Sequence, residues 1–231
     1  MKNWILTPPS LEDFTRLLRA WRFWVIGALL GGLLGAAVYY VFPPEYRARA
    51  TVVMDFNVEK SWPDEPDSQR FYYLERESRK LEEVAWADDT LHIVAAKLKM
   101  HVDALRPKLE LSQPQDGGWH FYATDPQPDA AAALASAWAA AFVTQIRRGM
   151  QAEVALNAAR EELKASPNDT TIQDAITELE AKSLGITADL QISPAQTKDL
   201  STTRKTGLGT YVLAGAGVLL ALAVLWVLFK K

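Results

Sequence analysis

The chain has 231 residues, no cysteine, 49% hydrophobic residues and a formal net charge of −3. The lack of cysteine excludes disulfide bonds, iron–sulfur clusters, thiolate zinc sites and a cysteine nucleophile. The apolar residues concentrate in two blocks, since residues 23–42 and 207–229 form uncharged runs of 20 and 23 residues. Such blocks exclude a freely soluble cytosolic enzyme and a disordered tail.

Each block is long enough to cross a bilayer as a helix, because a hydrocarbon core of about 30 Å needs roughly 20 residues. Trp24 lies near one end of the first block, and Tyr39 and Tyr40 lie near the other, as in interfacial aromatic belts. A cleaved signal peptide is the main alternative, but its apolar region would span only about 7–15 residues. We therefore predict retained transmembrane helices at 23–42 and 207–229.

Charges on the flanking segments predict the orientation of these spans. Residues 1–22 and 230–231 each carry a net charge of +2, whereas residues 43–206 carry −7. Basic flanks stay in the cytoplasm, and a loop as long as 43–206 translocates largely regardless of its charge. We expect a cytoplasmic N-terminal segment at 1–22, a cytoplasmic tail at 230–231 and an extracytoplasmic domain at 43–206. Arg204 and Lys205 depart from the rule because they lie just outside the second span.

The first span carries Gly27, Gly31 and Gly35 at four-residue spacing, which places them on one helix face. Small residues in this pattern let two backbones approach closely in a membrane. The alternative is that glycine is simply common in membrane helices. The pattern favours helix contact, either within the chain or between chains.

Alternating apolar residues at 46–56 predict a half-buried strand directly after the first span. Residues 57–68 are polar and contain two prolines, which indicates a loop. Asp67 or Ser68 can cap the helix that follows, and a second short helix is predicted at 88–100. The apolar side of the first of these helices holds Phe71, Leu74, Leu81 and Val84.

The second half of the domain begins with a predicted hairpin, KLELS and WHFYAT, joined by the loop 113–118. A long alanine-rich helix is predicted at 129–165, and Pro167 ends it. The next residues, Asn168 to Thr170, offer a cap for a return helix. A last strand is predicted at 186–193, and we expect it to pair with the first. The apolar stripe of the long helix, which would form the core or an oligomer contact, holds Leu134, Trp138, Phe142, Ile146 and Gly149.

A search for chemistry gives no catalytic residue, cofactor site or metal ligand. The chain has no glycine-rich phosphate loop, and its serines lack the G-x-S-x-G setting. His92, His101 and His120 have no metal-ligand spacing. Adjacent carboxylates on helices diverge by about 100° around the axis and suit a charged face. The acidic external segment also argues against a nucleic-acid partner, and burial explains Trp119, Phe121 and Trp138 better than stacking on sugars.

Two motifs resemble a known family. Pro43-Pro44-x-Tyr46-x-Ala48-x-Ala50 follows the first span, and Thr124-Asp125-Pro126 introduces the alanine-rich helix. With a capped segment at Ser10–Asp13 and two terminal spans, this order resembles the polysaccharide chain-length determinants, the Wzz-like polysaccharide co-polymerases. The family's proline-rich stretch before the second span is reduced to Pro194.

The resemblance implies an α+β fold in which two transmembrane helices flank a small sheet-containing base with a long helical hairpin. It also implies a non-catalytic homo-oligomer of the bacterial inner membrane, in contact with membrane lipid and with a polysaccharide polymerase or its glycan product. Such a protein regulates the chain length or export of a surface polysaccharide, such as lipopolysaccharide or exopolysaccharide. Two alternatives stay open: a transmembrane modulator of a separate cytoplasmic tyrosine kinase, and a membrane-anchored enzyme acting on glycan.

Overall fold

The computed structural model describes residues 15, 19–57, 67–112 and 118–229. Most of the predicted N-terminal segment, including Ser10–Asp13, lies outside these residues, as do most of the loops predicted at 57–68 and 113–118 and the tail 230–231. The chain divides into two compact units. We call residues up to Glu45 together with those from Arg204 onward the helix-pair unit, and residues Tyr46–Thr203 the central unit.

The described residues form helices and a small antiparallel sheet, so the predicted mixed class is confirmed. In chain order the elements are α1 (Trp21–Val41), β1 (Tyr46–Asp55), α2 (Asp67–Trp86), α3 (Asp88–Leu98), α4 (Val102–Leu105), a 3₁₀ turn (Arg106–Lys108), β2 (Leu109–Ser112), β3 (Gly118–Asp125), α5 (Pro128–Ala165), α6 (Thr170–Ser183), β4 (Gln191–Ile192), β5 (Thr202–Arg204) and α7 (Leu208–Phe229).

The helix-pair unit consists mainly of α1 and α7, which coincide with the two predicted apolar blocks to within two residues. The end of α1 follows from Pro43, because a residue before proline is disfavoured in the helical conformation. Phe42 accordingly leaves the helix with φ −123° and ψ 72°, while its N–H still donates to the Val38 carbonyl at 2.8 Å.

The central unit is built on a sheet with the strand order β2-β3-β1-β4, and β5 also pairs with β1. β1 lies antiparallel to β3 and to β4. Ala48, Ala50, Val52 and Met54 are buried on one face of β1, as the alternating pattern predicted. That pattern arises because successive strand residues point to opposite faces of the sheet.

The core lies between this sheet and the N-terminal half of α5. The C-terminal half of α5 packs antiparallel to α6, since Gly149 approaches Ser183 and Arg160 pairs with Glu180 at 2.9 Å. The Asp169 carboxylate caps α6 by accepting hydrogen bonds from the backbone N–H groups of the second and third residues after it. The long helix and its capped return helix therefore have the predicted positions.

The strand predicted at 186–193 is wrong for most of its length. Only Gln191 and Ile192 are in strand conformation, and they pair with Asp55 and Met54 of β1. The preceding chain turns because Leu184 and Gly185 adopt φ values of 55° and 63°. Ile186 and Leu190 are buried in this turned segment. Their alternation with polar residues thus reflects insertion of separate side chains into the interior.

Candidate functional site

The predicted glycine face of α1 lies against α7 of the same chain. Gly31 and Gly35 are buried, and a Cβ added to Gly31 would overlap the Gly215 carbonyl. A Cβ on Gly35 would likewise overlap the Tyr211 carbonyl. Gly27 differs, because an added Cβ would lie 3.5 Å from the Ala223 Cβ, an ordinary contact. Two of the three glycines are therefore required by a close antiparallel approach within the chain.

Aromatic side chains gather at one end of this helix pair. The rings of Tyr39 and Tyr211 meet edge to face with 5.5 Å between their centroids, and Tyr40 meets Tyr39 edge to face at the same distance. The Arg204 guanidinium carbon lies 5.0 Å from the centroid of the Tyr39 ring, within cation–π range. The Lys205 N–H donates to the Glu45 carbonyl at 2.9 Å. The Arg204 side chain therefore has a contact in the aromatic cluster, whereas Lys205 takes part through its backbone.

The two sequence motifs meet, from Tyr46 onward in the first of them, in the sheet of the central unit. Tyr46 is the register partner of Asp125, and Ala48 is the register partner of Ala123. Ala48 and Ala50 are fully buried, so the small residues of the first motif face the interior. The two motifs therefore form one structural feature, although they are far apart in the chain.

Asp125 holds the start of α5 in place. Its carboxylate accepts one hydrogen bond from Lys108 Nζ at 2.7 Å and another from the Gln127 N–H at 3.0 Å. Pro126 lies inside the resulting turn, and the next proline, Pro128, is the first residue of α5. Burial by itself raises the pKa of Asp125, but the bonds from Lys108 and Gln127 and the lysine charge together lower that pKa below 3.8.

The two prolines of the first motif, Pro43 and Pro44, belong to the helix-pair unit and follow the end of α1. Pro43 is exposed and Pro44 is half-buried, and both are in non-helical conformation after Val41. Neither proline has an N–H to donate, which suits a segment that leaves a helix. Their role in this structure is to end α1.

The stripe predicted on the long helix is core of its own central unit. Leu134, Trp138, Phe142 and Ile146 are all buried. The Trp138 indole N–H donates to the Ala85 carbonyl at 2.8 Å, so the polar group of this buried ring is satisfied. Phe121 meets Trp138 edge to face at 4.9 Å between centroids, and Trp119 stacks on Phe142 at 5.7 Å. These aromatic rings fill the interior and are closed to a sugar.

The titratable side chains considered from sequence lie apart from one another. His120 Nδ1 lies 3.0 Å from Thr51 Oγ1 on the open face of the sheet, and Asp88 pairs with Arg106 at 2.7 Å. Glu161 pairs with Lys164 at 2.6 Å on the exposed side of α5. Among the described residues, His, Asp and Glu form no group of three or more that could hold a metal ion.

A cleft of about 640 Å³ in the central unit was not predicted. It lies between α2, α3, α5 and α6, and its floor is the face of α5 that carries Gly149 and Ala152. The cleft has little signature in the sequence, because Gly149 and Ala152 do not stand out from the other small residues of an alanine-rich helix. The burial of Gly149 against Ile186 and Ser183 marks where α6 and its following turn close over α5.

Comparison with known proteins adds no family assignment. No family model matches the chain, and no curated protein is significantly similar to it. The class of protein defined by the structure is therefore a coarse one: among the described residues, three helices are long and apolar enough to cross a membrane. These helices are consistent with membrane association.

Proposed function

We propose that this chain is a two-span protein of the bacterial inner membrane and a non-catalytic polysaccharide co-polymerase. In this proposal it forms a homo-oligomer that regulates the chain length or export of a surface polysaccharide. It does so by contact with a polysaccharide polymerase or with the growing glycan. Both termini are cytoplasmic, and residues 43–206 are extracytoplasmic.

Exposed apolar side chains support the assignment of α1 and α7 as the two spans. Leu33 is 67% exposed and Leu213 is 74% exposed, although both belong to strongly apolar helices. Such surfaces are stable where lipid surrounds the helix pair. The third apolar helix, α5, differs because 56% of its most apolar stretch is buried inside the central unit.

The observation that carries the functional proposal is the pairing of the two family motifs. The motif after the first span and the motif before the long helix meet in one register, with Tyr46 opposite Asp125. If the two motifs resembled the family only by chance, nothing would require them to pair in the fold. The motif residues also have structural work to do, since Asp125 fixes the entry to α5 and Ala48 fills the core.

The oligomer in this proposal must use surfaces other than those first considered. Gly31 and Gly35 are occupied by α7, and Trp138 is occupied by the core. We therefore expect the contacts between subunits on the outward faces of the helices. The resemblance supports the oligomer, and light scattering of gently extracted protein measures it directly.

The topology is testable because the chain has no native cysteine. Single variants Lys2→Cys and Gly117→Cys are exposed to an impermeant thiol reagent in intact cells. We expect labelling at position 117 and none at position 2, while permeabilised cells label at both. Labelling at position 2 alone would contradict the proposed topology and support the opposite orientation.

Deletion of the gene tests the function. We expect the surface polysaccharide to run on a gel with an altered length distribution or a reduced amount, and the intact gene to restore it. A wild-type profile in the deletion strain would refute the co-polymerase proposal.

A further inference from the structure

The cleft of the central unit is lined by matched stripes from two helices. Residues three and four apart share one helix face, and both α2 and α5 contribute such residues. On α2 they are Lys80, Glu83 and Val84, with Ala87 following just after the end of the helix, and on α5 they are Gln145, Arg148, Gly149 and Ala152. Its volume of about 640 Å³ is within the range of roughly 300–1,000 Å³ that is usual for ligand sites.

Two of the cations beside the cleft are already paired. Lys80 Nζ donates to Glu77 Oε1 at 2.8 Å and to the Gly185 carbonyl at 2.9 Å. Lys182 pairs with Glu178 on the preceding turn of α6. A ligand that bound either lysine would therefore compete with a partner that the lysine already has within the protein.

Other polar groups of the cleft have no hydrogen-bond or ion-pair partner in the part of the chain that the structure describes. They are the guanidinium of Arg148 and the amide of Gln145 on α5, together with the carboxylates of Glu83 on α2 and Asp89 on α3. The cleft thus presents hydrogen-bond donors on the α5 side and carboxylate acceptors on the other. Its floor between them is apolar, formed by Gly149 and Ala152.

This arrangement discriminates between classes of ligand. An anionic ligand would be repelled by Glu83 and Asp89, and a cationic one by Arg148. A hydroxyl group both donates and accepts, so vicinal hydroxyls satisfy the carboxylates and the guanidinium together. The C–H face of a sugar ring suits the apolar floor.

We propose that this cleft binds an uncharged, polyhydroxylated segment of a glycan chain. The inference rests on the proposed function, which supplies a glycan as the protein's partner, and it deepens that function by naming the contact. Arg148 and Gln145 donate to ring hydroxyls, Glu83 and Asp89 accept from them, and no bond is made or broken.

Photo-crosslinking in the producing cells tests the site with the full-length protein. p-Benzoylphenylalanine replaces Ala152, which is half-buried on the cleft floor, or, in a second variant, the exposed Ala181 on the α6 wall. The matched control replaces Ala155, which is exposed on α5 and does not line the cleft. After irradiation we expect a carbohydrate-stained adduct from positions 152 and 181, and none from position 155.

A second pair of variants tests the named contact. Arg148→Ala in the position-181 background should reduce the carbohydrate adduct about fivefold or more, the effect of losing one charge-assisted hydrogen bond. The neighbouring Arg147→Ala should leave the adduct unchanged, because Arg147 is exposed on α5 outside this cleft. Equal adduct yield in both variants would overturn the assignment of Arg148.

Two further outcomes would overturn the proposal that the cleft binds glycan. A protein dimer as the adduct would make the cleft an interface between copies of this chain and would overturn glycan binding. An absence of any adduct from both positions, with protein folded and abundant, would also overturn it. If the deletion strain still shows altered glycan length in either case, the cleft proposal fails and the co-polymerase proposal stands.

Discussion

The helix-pair unit and the central unit pack long apolar helices in opposite ways. In the helix-pair unit, the buried residues of α1 are Gly31 and Gly35, while large side chains such as Leu33 point outward. In the central unit the large side chains Trp138 and Phe142 are fully buried. Glycine contact brings backbones together by van der Waals packing, which suits lipid, whereas burial of large side chains is driven by water. All three helices are long and apolar enough to cross a membrane, so it is the size of the buried residues, and not helix length, that separates the two kinds of packing.

The largest expected effect is on the water-driven core. Trp138→Asp removes a ring worth about 3–5 kcal/mol and places an unpaired charge among Phe121 and Phe142, so we expect a loss of more than about 4 kcal/mol in unfolding free energy. Hydrogen exchange of detergent-extracted protein should show that the central unit loses protection while α1 and α7 keep theirs.

Val154→Asp is the control for this substitution. Val154 lies on the same helix but is 59% exposed, so the change should stay within about 0.5 kcal/mol. Equal damage from the two substitutions would mean that the charge itself, and not its burial, decides the outcome.

A smaller effect is expected from the glycine contact. Gly31→Ala forces a Cβ into the Gly215 carbonyl, so the α1–α7 pair should lose about 1–3 kcal/mol and exchange faster, with no change in the central unit. Gly27→Ala has room for its methyl group and should be neutral or stabilising by up to about 1 kcal/mol. If the two variants behave alike, the close approach at Gly31 does not hold the pair together.

The sequence predicted the elements whose signals are local. Alternation in β1 and the uninterrupted apolar blocks of α1 and α7 each gave positions close to those observed. The cap at Asp169 did the same for α6. These features depend on residues near in sequence, where periodicity and capping chemistry act directly.

The features that sequence analysis missed depend on distant residues. The segment at 186–193 alternates like a strand, but its path is set by Gly149, where Ile186 fits against α5. The short α4 and the three-residue β5 carry too few residues for any periodic signal. The partner of the α1 glycines and the cleft beside Arg148 arise only when separate helices meet. No pattern within a single helix specifies which other helix packs on it.

A still smaller effect concerns the ion pair at the entry to α5. The pKa of Asp125 in the folded unit is below its ordinary value of 3.8, so the charged form stabilises the fold fully above pH 3.8. That stabilisation is lost as the pH falls through the lower folded-state pKa. Asp125→Asn keeps an acceptor for Gln127 but loses the charge facing Lys108, and should cost about 1–2 kcal/mol at pH 7.

The control for Asp125→Asn is the same comparison with the wild type, made in acid. The difference in unfolding free energy between variant and wild type should shrink in acid, because the wild-type carboxyl is then neutral as well. The urea midpoint at pH 7 and at low pH measures this difference. A constant difference at all pH values would show that the asparagine disturbs the turn and not the ion pair.

The smallest effect is expected where neither kind of packing is involved. Glu82→Ala, Asp88→Ala, His120→Ala and Glu161→Ala change exposed or half-buried groups of the central unit, so each should alter stability by no more than about 0.5 kcal/mol. In a non-catalytic protein no single one of these groups is indispensable, and polysaccharide production should persist with at most a modest shift in length. Glycan gels from four complemented deletion strains measure this. Complete loss in one strain, with protein folded and abundant, would instead favour the membrane-anchored enzyme.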